Sequence, residues 1–556
     1  MPDGASVDAI VVGAGATGGV AAMALAEAGL RVLVLEAGPE LTAREAFGSE
    51  PLNSLRRLLR LADGSQRLQA QHPGYWKHNP RLYVDERQQP YACPDDAPFL
   101  WTRGRQVGGK SLIWGGITLR LSDLEFQAKH GPDSGPAWPI ATADLDPWYG
   151  RLERLLGVRG HSDGLPQLPD GHFLPPLPFT PGEGHLRDAI GRDLDLPLIH
   201  SRGFALHRGG PATPWPRSSA QGVTLARALA SGQVQLRSRM VVSHVQMDRQ
   251  GQRAEGVVAI DGRRGRRELL RAPLVVLCAS TIESVRILLH SGSAHQDRGL
   301  QDPSGSLGRY LMDHISTSRF FSIPGIAAPE SASELSGAGS CFIPNTVNLE
   351  GGDGAGFRGG YGLWTALQRF DPPTLLQRRR GEAVGFLIGH GEVLPDPANR
   401  ITLLADQVDA WGLPIPHITC RWGANERAMV AHMQARMQAV VAAAGGAIQP
   451  IEELFILPLI EPLVRSGVAV RPGAAPAGYY IHELGGARMA TGPEGGMVNR
   501  WNQCWQAPNL LVTDGACWPS AGWQSPTLTE MAITWRACHA AGERLKRGET
   551  GLASCG

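Results

Sequence analysis

The chain has 556 residues, 42% hydrophobic and 19% charged, a balance that excludes an intrinsically disordered protein; the length suits three to four domains or one large enzyme with a composite core. Fifty-three Lys and Arg against 52 Asp and Glu leave a net charge of +1, and the arginine runs at 263–267 and 378–380 are short enough to read as solvated turns, so nucleic acid is not an expected partner. The eight cysteines form no CxxC and no metal-ligand spacing with histidines, which excludes a sequence-evident metal site and suits a reducing compartment.

Met1 leads almost directly into an apolar run, Ile10 to Val12, with no basic-plus-apolar leader pattern before it. The run predicts a parallel strand buried on both faces. Gly13, Gly15 and Gly18 follow at GxGxxG spacing. Gly13 permits a tight turn, Gly15 lets backbone approach a pyrophosphate, and Gly18 lets the next helix pack close to the strand. That helix, Gly18 to Ala28, stops at Gly29, and its N-terminus offers unpaired N–H groups and about half a positive charge to a diphosphate. A second buried strand, Arg31 to Leu35, ends at Glu36, whose carboxylate suits ribose hydroxyls and repels a 2′-phosphate. Strand, glycines, helix, strand and acid in this order predict dinucleotide binding without separating NAD from FAD.

Residues 41–100 read as an excursion from the nucleotide domain, a lid or an interface, with Tyr75, Trp76, Tyr83 and Tyr91 among them. From Trp101 to Gly116 there are five glycines, too many for a helix interior, beside apolar residues that do not suit a free loop. This backbone is expected to lie against a flat ligand. The stretch Arg103-Gly-Arg-Gln-Val-Gly-Gly-Lys-Ser-Leu-Ile-Trp-Gly115 resembles the flavin-contacting signature of the glucose-methanol-choline (GMC) oxidoreductases. The resemblance implies FAD, held by Gly13, Gly15, Thr17, Gly18 and Glu36 and by Arg105, Val107, Gly109, Ser111, Trp114 and Gly115. Some relatives attach FAD through a histidine just before this tryptophan. Ile113 stands there, so the resemblance implies non-covalent FAD.

Further along, 144–156 reads as an amphipathic helix, and the prolines of 161–184 predict an extended crossing segment. Helices are expected at 185–195 and 222–230, strands at 234–237, 241–247, 254–260 and 274–278, and a helix at 279–292 ending on glycine. The resemblance places Val242 beside the adenine. His314, in the segment 305–314, reads as structural. From 316 to 475, short strand-like runs (319–323, 383–388, 400–404, 415–421) alternate with turn residues, and a helix from Asn425 to Ala444 carries an apolar stripe. An antiparallel sheet with a covering helix is expected, the substrate domain of the family.

At the C-terminal end, Tyr480-Ile-His-Glu-Leu-Gly-Gly-Ala-Arg-Met489 sets His482 beside a glycine pair. The buried run Asn509 to Thr513 ends in Asp514-Gly515, and Ser525-Pro526-Thr527 opens the last helix, with Ser525 suited to its N-cap and Pro526 to its first turn. The resemblance gives Asp514, Gly515, Pro526 and Thr527 to the flavin and aligns His482 with the catalytic histidine. The family's partner residue, usually His or Asn, falls 43 positions on, where this chain has Ser525; either a hydrogen bond to the substrate oxygen or helix capping fits that serine. A histidine is suited to take a hydroxyl proton near neutral pH while hydride passes to flavin N5.

The expected architecture is α/β: a Rossmann-like FAD-binding domain (1–160, 222–315 and 479–556), a Pro-rich crossing segment (161–221), and an α+β substrate domain on an antiparallel sheet (316–478). The expected activity is oxidation of an alcohol, sugar or glycoside hydroxyl, with O₂, a quinone or a carrier protein as electron acceptor. A flavin-containing lyase and a flavin-binding subunit of little activity are the alternatives. No run of about 18 apolar residues is present, so a cytoplasmic location is expected, with export alongside a partner subunit as the other option.

Overall fold

The first motif opens a five-stranded parallel sheet, in the order Leu510–Val512, Leu274–Leu277, Ala9–Val12, Val32–Glu36, Val234–Ser238. The computed structural model describes residues 6–549 and 551, apart from 73–75, 77, 128–135, 206–213, 293–298, 328, 330–333, 371–380 and 451–472. Tyr75, the arginine run 378–380 and Cys555 lie outside the described residues. Ala9 pairs with Val32 on one side and Leu274 on the other, and the two interior strands Ala9–Val12 and Leu274–Leu277 are wholly apolar and buried, as central parallel strands must be.

Helix Ala16–Glu27 is buried from Thr17 to Ala26 because neighbours close on several of its faces. It packs against Thr224–Ala230 and against the last helix, Thr527–Lys546. The helix after the first strand and the last helix are therefore built into one core. Gly13 adopts φ +102°, and a Cβ there would lie 2.2 Å from the carbonyl oxygen of Cys278. The turn after the first strand thus admits no side chain.

A three-stranded antiparallel sheet, Met240–Met247, Ala254–Asp261 and Arg267–Arg271, follows the edge strand Val234–Ser238. The arginine run 263–267 bridges its second hairpin, as a turn should. Among its described residues the excursion at 41–100 holds two α-helices, Ala43–Phe47 and Glu50–Ala62, the second with Leu52, Leu55, Leu58 and Leu59 exposed.

The second large sheet has six antiparallel strands in the order Ala447–Gln449, Ser318–Pro324, Glu382–Gly391, Tyr361–Leu367, Cys341–Ile343, Ile199–His200. Four of these, Ile199–His200, Cys341–Ile343, Tyr361–Leu367 and Ala447–Gln449, lie outside the strand-like runs read from the sequence. Arg400–Val408 and Pro414–Thr419 instead form a separate hairpin. Helix Ala424–Ala443 covers the sheet, and Met429, Met433 and Met437 pack on Gly389 and Gly391. Their stripe is core, as the sequence implies.

The helix expected at 185–195 starts earlier, at Pro181, because Thr180 and Glu183 form a capping box ahead of it. Glu183 also receives Arg369 at both carboxylate oxygens (2.7 and 2.6 Å), with both side chains at 2% exposure or less. This pair ties the helix to the six-stranded sheet. Arg369→Met strands a buried carboxylate and is expected to lower unfolding free energy by about 3–5 kcal/mol, measured as a shift in the urea midpoint; a shift under about 1 kcal/mol contradicts the assignment.

Candidate active site

At the carboxyl ends of the parallel strands lies a cleft of ≈ 1340 Å³, the position where open α/β sheets bind nucleotides. Val12, Glu36 and Cys278 bring three strand ends to it. Gly15 faces Gly109 there, and a Cβ on Gly109 would come within 3.1 Å of the Gly15 Cα, so two glycine segments distant in sequence form one floor. Both Glu36 oxygens accept backbone N–H groups, from Ala14 (3.0 Å) and Gly38 (2.8 Å), leaving lone pairs for a ligand hydroxyl. Burial pushes the Glu36 pKa up, against those bonds and Arg105.

The cleft is supplied with unused donors. Arg103 Nε and Nη2, Arg105 Nη2 and Trp114 Nε1 are buried without a hydrogen-bond partner among the described residues. Arg103 lies over the Trp101 ring at 4.4 Å and Arg105 over Trp411 at 4.3 Å. Burial lowers the Arg105 pKa to about 10, still cationic at neutral pH. Buried guanidinium groups with donors to spare, a helix N-terminus at Ala16 and a glycine floor fit the diphosphate of a dinucleotide.

Beside this cleft lies a smaller cavity of ≈ 700 Å³, lined by Trp114, Trp364, Tyr480 and Ile117 together with Thr102, Ser525 and Thr527. His482 lines both. Its position is held from several sides. Asp313 accepts from the backbone N–H groups of His482 (3.0 Å) and Tyr480 (3.2 Å). Between them Ile481 takes φ +63°, a left-handed conformation costly for a β-branched residue. Glu483, next along, receives Lys110 of the glycine loop at 2.8 Å. Burial, then the Glu483 charge, raises the Asp313 pKa to about 7.

The imidazole of His482 has a determined tautomer. His314 Nε2 bonds the Gly522 carbonyl at 2.7 Å, so it carries the proton. Burial drives the His314 pKa down to about 4, so its Nδ1 is bare at neutral pH. His482 Nδ1 lies 2.9 Å from that nitrogen and must donate to it. His482 Nε2 is left with a free lone pair. Burial and then the neighbouring His314, His390 and Lys110 push the His482 pKa well below its ordinary value, which keeps the ring neutral.

Most residues read from the sequence meet at these two cavities. Gly13, Gly15, Thr17, Glu36, Arg105, Gly109, Ser111, Trp114, Val242, Asp514, Pro526 and Thr527 line the larger, and Gly115 and Ser525 the smaller. Gly18, Val107 and Gly515 line neither. Gly18 packs on the Gly13 carbonyl, Val107 is 2% exposed with its N–H spent on Pro39, and Gly515 abuts Thr281 and Glu483. The capping expectation for Ser525 fails: Pro526 is the N-cap of Thr527–Lys546, no side chain caps it, and the Ser525 hydroxyl has no hydrogen bond among the described residues. The Asp514 carboxylate binds Ala516 N and Ser284 Oγ, and burial raises its pKa to about 6. Sequence reading missed Asp313 and His390 and undervalued His314. None belongs to a glycine motif, and only the pairing of distant segments brings them here.

Among the described residues no group of His, Cys, Asp and Glu is placed to hold a metal ion, and no helix is long and apolar enough to cross a membrane.

The chain is 26% identical to the 2-methyl-1,2-propanediol dehydrogenase of Mycolicibacterium austroafricanum, over 95% of this chain and 94% of that one. It is 23% identical to the fructose dehydrogenase large subunit of Gluconobacter japonicus (98% and 99%) and 25% identical to the C-glycoside 3-oxidase of Microbacterium trichothecenolyticum (97% and 97%). Its fold matches the crystal structure of pyridoxine 4-oxidase from Mesorbium loti with a TM-score of 0.61 at 17% identity, covering 97% and 99% of the two chains. It also matches formate oxidase of Aspergillus oryzae RIB40 with a TM-score of 0.63 at 15% identity, covering 99% and 100%. Profiles of the GMC oxidoreductases match residues 7–316 and 395–534, so the chain belongs to that family of FAD-binding enzymes acting on CH–OH groups.

Proposed function

We propose that the protein oxidises a secondary or primary hydroxyl of a sugar, glycoside or small polyol to a carbonyl, with His482 as the base. The observation that carries this reading is the bare Nε2 of His482 at the junction of the two cavities, with the opposite nitrogen committed to His314. The larger cleft would hold FAD through Gly13, Gly15, Glu36, Arg103, Arg105 and Gly109, with Trp114 and Val242 along it. When bound there, FAD supplies the acceptor for the hydride that leaves the substrate carbon.

The remaining work belongs to the chain. The smaller cavity receives the substrate. Its aromatic walls, Trp114, Trp364 and Tyr480, suit the C–H faces of a sugar or polyol, and Thr102, Ser525 and Thr527 offer hydroxyls to the polar edges. His482 Nε2 takes the hydroxyl proton as the C–H bond breaks. The His314 ring holds His482 in the accepting tautomer, a positioning role, and Asp313 fixes the backbone that presents it. The names of the relatives, which include a diol dehydrogenase, a fructose dehydrogenase and a glycoside oxidase, support a polyhydroxylated substrate.

Anaerobic mixing of the holoprotein with a panel of sugars, glycosides and diols is expected to bleach the flavin band with at least one of them. His482→Ala is expected to retain FAD and lose about 10²–10⁴-fold in the reduction rate. Undiminished reduction in that variant rejects His482 as base, and product formed without bleaching points instead to a non-oxidative reaction.

The pH dependence has a definite sign. Protonated His482 cannot accept a proton, and burial lowers its pKa. The reduction rate is therefore expected to stay flat through neutral pH and to fall only below about pH 6.5, the ordinary histidine value. An acid limb at or above that value in anaerobic stopped-flow contradicts the reading.

A further inference from the structure

We propose that helix Glu50–Ala62 is an interface between copies of this chain: two such helices pair antiparallel about a two-fold axis through their outward leucine faces. The inference is independent of the reaction, since no residue of 50–62 lines either cavity.

The helix is built inside out. Asn53 is buried and donates to the Phe47 carbonyl at 2.7 Å. Arg57 donates to the His78 carbonyl (3.2 Å) and to Ser54 Oγ (2.9 Å), and it pairs with Glu50. Arg60 lies 3.6 Å from the Asp63 carboxylate and 4.0 Å from that of Asp85. The polar side of the helix therefore faces its own chain. Of its leucines only Leu61 turns inward, against the cluster of Ala46, Trp76 and Leu82. Leu52, Leu55, Leu58 and Leu59 point outward at 43% to 58% exposure, joined by exposed Pro51 and Ala62. A surface helix normally shows the reverse arrangement. The four leucines leave on the order of 400 Å² of apolar surface open, a size at which a patch marks an interaction site.

The spacing selects the kind of partner. Leu52, Leu55, Leu59 and Ala62 recur at steps of three, four and three residues, the a and d positions of a two-stranded helical seam. Pro51 and Leu58 widen the seam on one flank, and Arg56 and Asp63 edge the other. Such a seam takes a second helix with the same spacing. Among the described residues the remaining exposed large apolar side chains, Leu68, Leu174, Leu229 and Val408, are scattered over separate segments and form no second stripe. The matching stripe is the same helix of a second copy, which makes the contact isologous.

Charge sets the orientation. With the two helices antiparallel and centred on residue 57, Leu55 of one copy opposes Leu59 of the other. Arg56 then shares a flank with Asp63 of the second copy, about 7.5 Å away along the axis, within reach of an arginine side chain. A parallel pair would set Arg56 and Asp63 beside Pro51 and Leu58, where neither meets an opposite charge. An anionic lipid surface does not fit this face. Glu50 and Asp63 stand exposed at its two ends, and Arg57 and Arg60 already pair with acids of their own chain. A standard interface buries about 800 Å² on each side, so a leucine core of this size with its rim makes a reversible dimer and not an obligate one.

Sedimentation velocity of the FAD-loaded protein over a concentration series tests this. Wild type is expected to pass from monomer to dimer between about 1 and 100 µM chain. Leu55→Asp combined with Leu59→Asp brings four charges into the seam and is expected to weaken association at least about 100-fold, with flavin content and thermal midpoint unchanged. Arg56→Glu sets like charges against Asp63 and is expected to weaken it about 3-fold. The wild-type series and Arg56→Glu decide the question alone should the leucine variant lose its flavin.

Wild type that stays monomeric at the highest concentration, or a dimer indifferent to the leucine substitutions, overturns the proposal. Unchanged association in Arg56→Glu overturns the antiparallel pairing. Vesicles of phosphatidylcholine with phosphatidylglycerol are expected to leave the protein in solution; leucine-dependent binding to them by a monomer would assign the face to lipid and overturn the dimer.

Discussion

The hydrogen bond between His314 and His482 constrains the site more than any other contact. It works because of what lies behind it. The Gly522 carbonyl demands a proton from His314 Nε2, a neutral His314 must then accept at Nδ1, and His482 has no choice but to donate. A carbonyl thus sets the protonation of a nitrogen two rings away. The chain of three groups spans residues 314, 482 and 522, which the fold brings together from the segment after the parallel sheet, the segment before its last strand and the loop before its last helix. Any rearrangement of these segments would free the tautomer and with it the lone pair that the proposed chemistry uses.

Burial is what gives this arrangement its electrostatic meaning. His314, His390 and His482 are clustered with Tyr480, with His314 and His482 4.9 Å apart between ring centroids, and each is held neutral by desolvation. Three neutral imidazoles can divide donors and acceptors among themselves, which three imidazolium ions at that distance could not. The ionisable side chains of the neighbouring cleft include Arg103, Arg105, Lys110, Glu36, Glu283 and Glu483, with Lys110 and Glu483 ion-paired. A polar chamber, whose lining includes Lys110, therefore adjoins a more highly charged cleft suited to a dinucleotide diphosphate.

Close backbone approach joins the two chambers. Gly15 and Gly109 meet without side chains, and the loop that carries Gly109 continues through Lys110, ion-paired to Glu483, to Trp114, which lines both cavities. Movement of the glycine loop would be felt at His482 through a single residue. The strain at Ile481, φ +63°, is the backbone counterpart of this coupling: it is held by Asp313 below and by the ion pair at Glu483 beside it.

The sequence by itself determined whatever depends on neighbours along the chain. The strand, glycine turn, helix and acid of residues 9–36, the apolar stripe of 424–443 and the glycine loop at 104–116 are local patterns, and a turn that excludes a Cβ or a helix that buries one face is written in adjacent residues. His482 stood out because its segment resembles the family's and a glycine pair follows it. Tertiary structure alone decided the rest. Cys341–Ile343 and Tyr361–Leu367 become strands only because partners pair with them, Ser525 fails to cap its helix because Pro526 takes that position, and Glu36 spends part of its carboxylate on its own turn. The tautomer of His482 belongs to the same class. Hydrogen-bond direction and desolvation are properties of groups that meet in space, and residues 314, 390, 482 and 522 become neighbours only when two sheets close over one cavity.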